Sequence, residues 1–287
     1  MSKPSLKSVG TVGAPSLPTS IAQVGTITKY ELLNYFRSRR FFVLLIIGIV
    51  ISAIFTAVVG YYGIAYLNLT SALGFYSFWW GNSITLVVIL SGIFFGGDAI
   101  SGEFQNKTGY FLVGNPLRRS SIYIGKWIAA LTASLIIFAI YAAIAVGNGI
   151  YYFGANIPYQ FGDSLGFSVL YLIAVLGFTF FFSSLFKSSS MSILVTAILF
   201  LFAFSLIELI VSRLAQIEPW FIITYGAGII GNVLIDPYPL TQSTRGPGGR
   251  EVSTFAVSIP QGIAILVGYF VITAVIGLLL FERKEFT

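Results

Sequence analysis

Between Arg40 and Asp98 the chain runs for 57 residues without one charged side chain. A helix rises about 1.5 Å per residue and bilayer hydrocarbon is about 30 Å thick, so about 20 apolar residues make one crossing. The window therefore holds two crossings and a connecting turn, placed near Tyr62 to Trp80 where Asn68, Thr70 and Asn82 interrupt the apolar run. Other charge-poor windows repeat the signal. Residues 127–162 hold a third span ending near Asn148, 164–186 a fourth, 188–207 a fifth and 252–281 a sixth. Only 9% of all residues are charged, against about 25% in a soluble domain. The expected fold class is all-α integral membrane with six transmembrane helices, since helices satisfy their backbone groups internally in lipid.

One stretch resists that scheme. Residues 219–235 are largely apolar but short for a crossing, and Gly226, Gly228 and Gly231 disfavour a straight helix. Six spans, with this stretch as a re-entrant or interfacial helical pair, put Lys3, Lys7, Lys29, Arg37, Arg39, Arg40, Lys107, Arg118, Arg119, Lys126, Lys187, Arg283 and Lys284 on one side. Only Arg213, Arg245 and Arg250 fall on the other. Basic loops stay cytoplasmic, so both termini are expected in the cytoplasm and the chain in the cell membrane, surrounded by lipid. The net charge of +6 is thereby spent on orientation, and no nucleic-acid partner is expected. Tyr61, Tyr62, Phe78, Trp79, Trp80, Tyr151, Tyr152, Tyr159, Trp220 and Tyr225 border the outer segments, as headgroup-level anchors do.

Residues 1–20 are rich in Ser, Pro, Gly and Lys and contain no apolar core of a signal peptide; they read as a disordered cytoplasmic tail. Residues 21–40 read as an amphipathic interfacial helix. At about 100° per residue, Leu32, Leu33, Tyr35 and Phe36 share one arc, and Glu31, Asn34, Arg37 and Ser38 the other. The domain proper is then 41–287, with an inner loop at 98–125 and an outer segment at 211–258.

The chain has no cysteine and no histidine. That removes disulfides, thiolate metal sites and histidine acid–base chemistry. Gly125-Lys126 is followed by Trp127, so no Gly-x-x-x-x-Gly-Lys-Ser/Thr phosphate loop is present. No catalytic, metal or cofactor residues are expected in this chain.

The inner loop is the most informative segment. It is polar at both ends with an apolar patch, Tyr110 to Val113, in the middle. Asn115 is placed to cap a helix that starts at Pro116 and runs through Arg118 and Ile122 into the third span. The run Asp98, Ser101-Gly102-Glu103, Lys107-Thr108-Gly109, Asn115-Pro116, Arg118, Ile122, Gly125-Lys126 resembles the first cytoplasmic loop of ABC-2 type exporter permeases. It is nearest the archaeal and bacterial branch that includes permeases linked to multicopper-enzyme maturation. Many members have Gly-Thr where this chain has Thr108-Gly109. The resemblance implies a half-transporter that pairs with itself or a related permease and exports cargo by alternating access. It also implies a cytoplasmic coupling helix docking on a separate ABC ATPase subunit, through Glu103, Lys107, Gly109, Tyr110, Phe111, Asn115, Pro116, Arg118 and Arg119.

Glu208 is the one acid in an apolar context, at the outer end of the fifth span. A carboxylate there is costly and is a candidate intramembrane polar site, with Arg213 one turn on as a possible partner. Asp98 is expected to pair with Arg40 or Lys126. Ser83, Thr85, Ser91, Gly92, Thr196 and Ser205 in spans two and five are expected either to let helices pack closely or to line a path. The alternative function, an ion-coupled secondary transporter, needs acids or broken helices near the midplane, and Glu208 alone comes near. The Pro- and Gly-rich stretch 236–251 reads as a connector.

Overall fold

The computed structural model describes residues 19–107, 117–245 and 251–284. Six helices in it are long and apolar enough to cross a membrane: Arg39–Tyr66, Ala72–Gln105, Arg119–Phe153, Tyr159–Leu185, Ser189–Leu214 and Ile259–Arg283. They are spans one to six below. The expected tail lies outside the described residues except at its last two positions.

The N-terminal helix, Ser20–Arg37, ends where Ser38 takes an extended conformation and its hydroxyl accepts from the Phe41 amide, capping span one. One face of the helix is taken up by the bundle. It packs along the first turns of span three, where Thr28 Oγ1 donates to the Gly125 carbonyl at 3.1 Å. A Cβ at Gly125 would sit 2.8 Å from Ile27, so glycine sets this close approach. Tyr35 is buried and its hydroxyl donates to the Phe95 carbonyl at 2.9 Å. Burial, and then the Glu31 carboxylate, hold this phenol well above its ordinary pKa, so it stays a neutral donor.

Span one is continuous to Gly63, whose φ of 76° bends the chain. Span two is segmented: Ala72–Tyr76, a π-helical turn Ser77–Gly81, Ile84–Gly96 and a short terminal helix Ser101–Gln105. Spans two and four form the centre; 72% of span two's most apolar stretch is buried, against 11% for span five. The two central helices approach closely because of glycines. A Cβ at Gly92 would lie 2.4 Å from Val175 Cγ1, and one at Gly96 would lie 2.1 Å from Thr179 Oγ1. Spans one, five and six turn broad apolar faces outward, with Ile46, Ile54, Phe202, Leu206 and Ile272 exposed. In lipid such faces carry no cost.

Three aromatic residues depart from the expected headgroup belt. Trp79 and Trp80 do not anchor at headgroup level; both are fully buried. Trp80 Nε1 donates to Ser164 Oγ at 3.1 Å, and that hydroxyl donates to the Ile230 carbonyl at 2.7 Å. An indole beside a loop resembles a belt residue in sequence, but the π turn rotates this pair inward. Tyr225 is also buried. Tyr61, Tyr151, Tyr159 and Trp220 remain exposed, as headgroup anchors require.

The stretch 219–235 forms two short helices, Ile223–Ala227 and Ile229–Asn232. They are packed against spans four and six and the π turn of span two. Most of their residues are buried, so the pair is part of the bundle without adding a span. The connector after it contains an element not anticipated, an antiparallel hairpin of Gln242–Arg245 with Glu251–Thr254. Gln216, just past span five, accepts from the Ser253 amide and ties the hairpin down. Span three also starts differently from expectation. Its helix begins at Arg119, with Arg118 extended. Asn115 and Pro116 lie outside the described residues.

Candidate functional site

At the end of the bundle that carries both described termini, the inner loop leaves span two through the helix Ser101–Gln105. Spans three, four and five hold that helix. Ser183 Oγ of span four accepts from the Ile100 and Ser101 amides at 2.9 and 3.0 Å. Gln105 Oε1 accepts from the Ser189 amide at 2.7 Å, at the start of span five. Glu103 pairs with Lys126 of span three at 2.7 Å, and Lys126 also pairs with Glu31 of the N-terminal helix. The Lys126 side chain is only 5% exposed. A lysine so buried requires carboxylate partners, and here it has two. Alongside, Arg40 pairs with Asp98 as expected. Both ion-pair groups line one polar cavity of about 320 Å³ with Tyr35, Ser38 and Asn106.

The far stem of the loop is equally fixed. The Arg118 amide donates to Gln23 Oε1 at 3.2 Å. Arg119 Nη1 donates to the Glu282 and Lys284 carbonyls, both at 2.8 Å, at the end of span six. Lys284 in turn donates to the Ser184 and Phe186 carbonyls at the end of span four, both at 2.8 Å, with its ammonium 4.3 Å from the Phe104 ring centroid. Burial, and then the charge of Lys187, lower the Lys284 pKa to about 8.

The expected site residues therefore separate into groups. Glu103 and Arg119 face inward and brace the stems. Lys107 and Arg118 are exposed. Gly109, Tyr110, Phe111, Asn115 and Pro116 lie outside the described residues. The brace through Lys126 and Glu31 was not identified as such. Its one sequence signal is a lysine set among apolar residues of a span, which predicts a buried pair without naming the partners.

The opposite end carries Glu208. Its partner is not Arg213: Thr224 Oγ1 donates to Glu208 Oε2 at 2.9 Å, across to the short helical pair. Glu208 is half-buried and opens on a cavity of about 400 Å³ whose lining includes Ser205, Ser212, Arg213, Tyr225 and Ser253. Of the small and polar residues noted in spans two and five, Ser83, Ser91, Gly92 and Thr196 are buried in protomer packing. Ser205 reaches this cavity.

Six long apolar helices, a braced loop between the second and third, and a helical pair before the sixth define a multi-pass membrane protein with a built-up junction at one end. A sequence model of the ABC-2 family transporter proteins matches residues 25–286. The chain belongs to that family and is a membrane subunit of an ABC transporter, a class that works with an ABC ATPase subunit. A comparison with curated proteins finds no match.

Proposed function

We propose that this chain is the permease half of an ABC exporter, driven through the loop 98–125 by a separate ATPase. The observation that carries the proposal is the bracing of both loop stems. The first stem is tied to spans three, four and five and to the N-terminal helix. The second is tied to the N-terminal helix and span six. The ties at its stems would share a push on the loop among five elements. Rigid contiguous contacts of this kind carry a conformational change between distant sites. Lys107 and Arg118, exposed at the two stems, supply charge for docking, and the segment with Gly109, Tyr110, Phe111, Asn115 and Pro116 supplies the apolar surface. Glu103 and Arg119 act as positioning residues behind them.

On this reading two protomers, identical or related, close around a path beside spans two and five, with Glu208 a polar site at its outer end. ATP and Mg sit on the ATPase. Both termini face the cytoplasm, and the chain groups with the multicopper-enzyme-maturation branch of the family. The test is co-purification with a co-expressed ABC ATPase. Lys107→Glu with Arg118→Glu is expected to abolish the complex while leaving the melting temperature of the permease unchanged. Equal recovery of ATPase with wild type and the double variant would contradict the docking assignment.

A further inference from the structure

The distal cavity holds one carboxylate and one guanidinium that do not pair with each other. Thr224 engages Glu208 Oε2 alone. Nearby Glu218 differs: its Oε1 accepts from both Tyr225 and Gln261, at 2.7 and 2.8 Å. Arg213 is exposed, and the ion pairs among the described residues do not include it.

The helix itself brings the two charges to one cavity. Five residues along an α-helix advance by about 500°, which leaves side chains about 140° apart. Ile210–Leu214 is instead a π turn, with the Ala215 amide bonded to the Ile210 carbonyl at 3.0 Å. The i→i+5 bonding of a π turn brings residues five apart toward one face, and such turns concentrate at functional sites. Ser205, Glu208 and Ser212 already share a helical stripe, and Arg213 joins it on the cavity wall. At about 400 Å³ the cavity falls within the roughly 300–1,000 Å³ of small-ligand sites. Leu209 lines it, and beside it Leu206, Ile210 and Leu214 are exposed on span five.

We infer that this cavity binds a zwitterionic headgroup of the phosphoethanolamine type, its ammonium on Glu208 and its phosphate on Arg213. An anion alone would leave the half-buried Glu208 carboxylate unmatched and a cation alone would leave Arg213 unused, whereas a zwitterion matches both. The apolar flank favours a headgroup that carries acyl chains, which lie along span five. The inference rests on the proposal that Glu208 is the outer polar site of the permease, and it names the class of ligand that site takes.

The test uses the full chain in detergent and native mass spectrometry. The probes are phosphatidylethanolamine, phosphatidylglycerol of the same chain length, and soluble phosphoethanolamine as competitor. Wild type is expected to hold phosphatidylethanolamine about tenfold more tightly than phosphatidylglycerol, and Glu208→Gln to remove that preference, a change of one charge contact. Arg213→Gln is expected to weaken both lipids. Retained phosphatidylglycerol binding by Glu208→Gln shows that this variant is folded. Displacement by soluble phosphoethanolamine supports a site that reads the headgroup alone; failure of displacement with the lipid preference intact supports a site that also reads the chains. Equal binding of the two lipids by wild type, or an unchanged preference in Glu208→Gln, overturns the inference. Because no ATPase is present, that failure is distinct from failure of the docking assignment, which is read only by co-purification.

Discussion

Replacing Lys126 by methionine tests the brace at its centre. The substitution keeps the length and apolar stem of the side chain and removes its charge. Glu31 and Glu103 are then left facing each other with side-chain exposures of 21% and 15%, too little for water to compensate them fully. Removing one partner from a buried ion pair costs about 3–5 kcal/mol, because the cost is that of the charge left behind. In a chain of this size that corresponds to a fall of roughly 10 °C in apparent melting temperature. The triple variant Glu31→Gln, Glu103→Gln, Lys126→Met removes every formal charge of the group and is expected to recover most of the loss, since a neutral packed replacement is often as stable as the pair. Thermal unfolding in one detergent, followed by tryptophan fluorescence, gives both numbers. A single variant within about 2 °C of wild type, or a triple variant no better than the single, would refute the claim that these three charges depend on one another.

Other outcomes follow from the same structure. Ser164→Ala removes the hydroxyl between Trp80 Nε1 and the Ile230 carbonyl and is expected to cost about 1–3 kcal/mol for the groups left unpaired; Trp80→Phe removes the orphaned N–H but opens a cavity at a fully buried position, so the two losses are expected to be less than additive, which a double-mutant cycle measures. Gly92→Ala forces a methyl against Val175 and is expected to destabilise by about 1–3 kcal/mol, whereas Gly147→Ala meets nothing within 4 Å and is expected to be neutral or slightly stabilising; thermal melts of the two separate packing from helix propensity. Lys284, lowered to about 8 by burial and by Lys187, binds less proton folded than unfolded between that value and the ordinary lysine pKa. Stability therefore rises with pH across that window, and the difference in melting temperature between wild type and Lys284→Met is expected to move in favour of wild type from pH 8 to 10.

Much of the fold was legible because one physical rule dominates it. Where charges are absent for 20 residues in a chain this apolar, a helix crosses, and the five charge-free windows, the first long enough for two crossings, hold the six long helices. The glycines of 219–235 likewise marked a segment that could not be a straight span. What was not legible depends on rotation and on partners distant in sequence. Trp79 and Trp80 sit in the register of belt residues, and a π turn without any Pro turns them inward. The same kind of turn, equally unmarked, brings Arg213 to the cavity of Glu208. Glu31 meets Lys126 across 95 positions, a pairing that local periodicity does not encode. Glu103 was singled out by motif as a docking residue, but only the structure shows its carboxylate directed into the brace. Asp98 and Arg40 were easier, since each closes one end of the same charge-free window.

The chain's lack of cysteine permits the most direct test of the central claim, that an ATPase drives this membrane subunit at the end bearing the loop 98–125. A single cysteine replaces Lys107, and in a second preparation Tyr159, which is 79% exposed at the opposite end. Each is treated with a short thiol-to-amine crosslinker in membranes containing a co-expressed ABC ATPase. The account predicts a permease–ATPase adduct from Lys107→Cys and none from Tyr159→Cys. An adduct from Tyr159→Cys with none from Lys107→Cys would place the motor at the wrong end and contradict it.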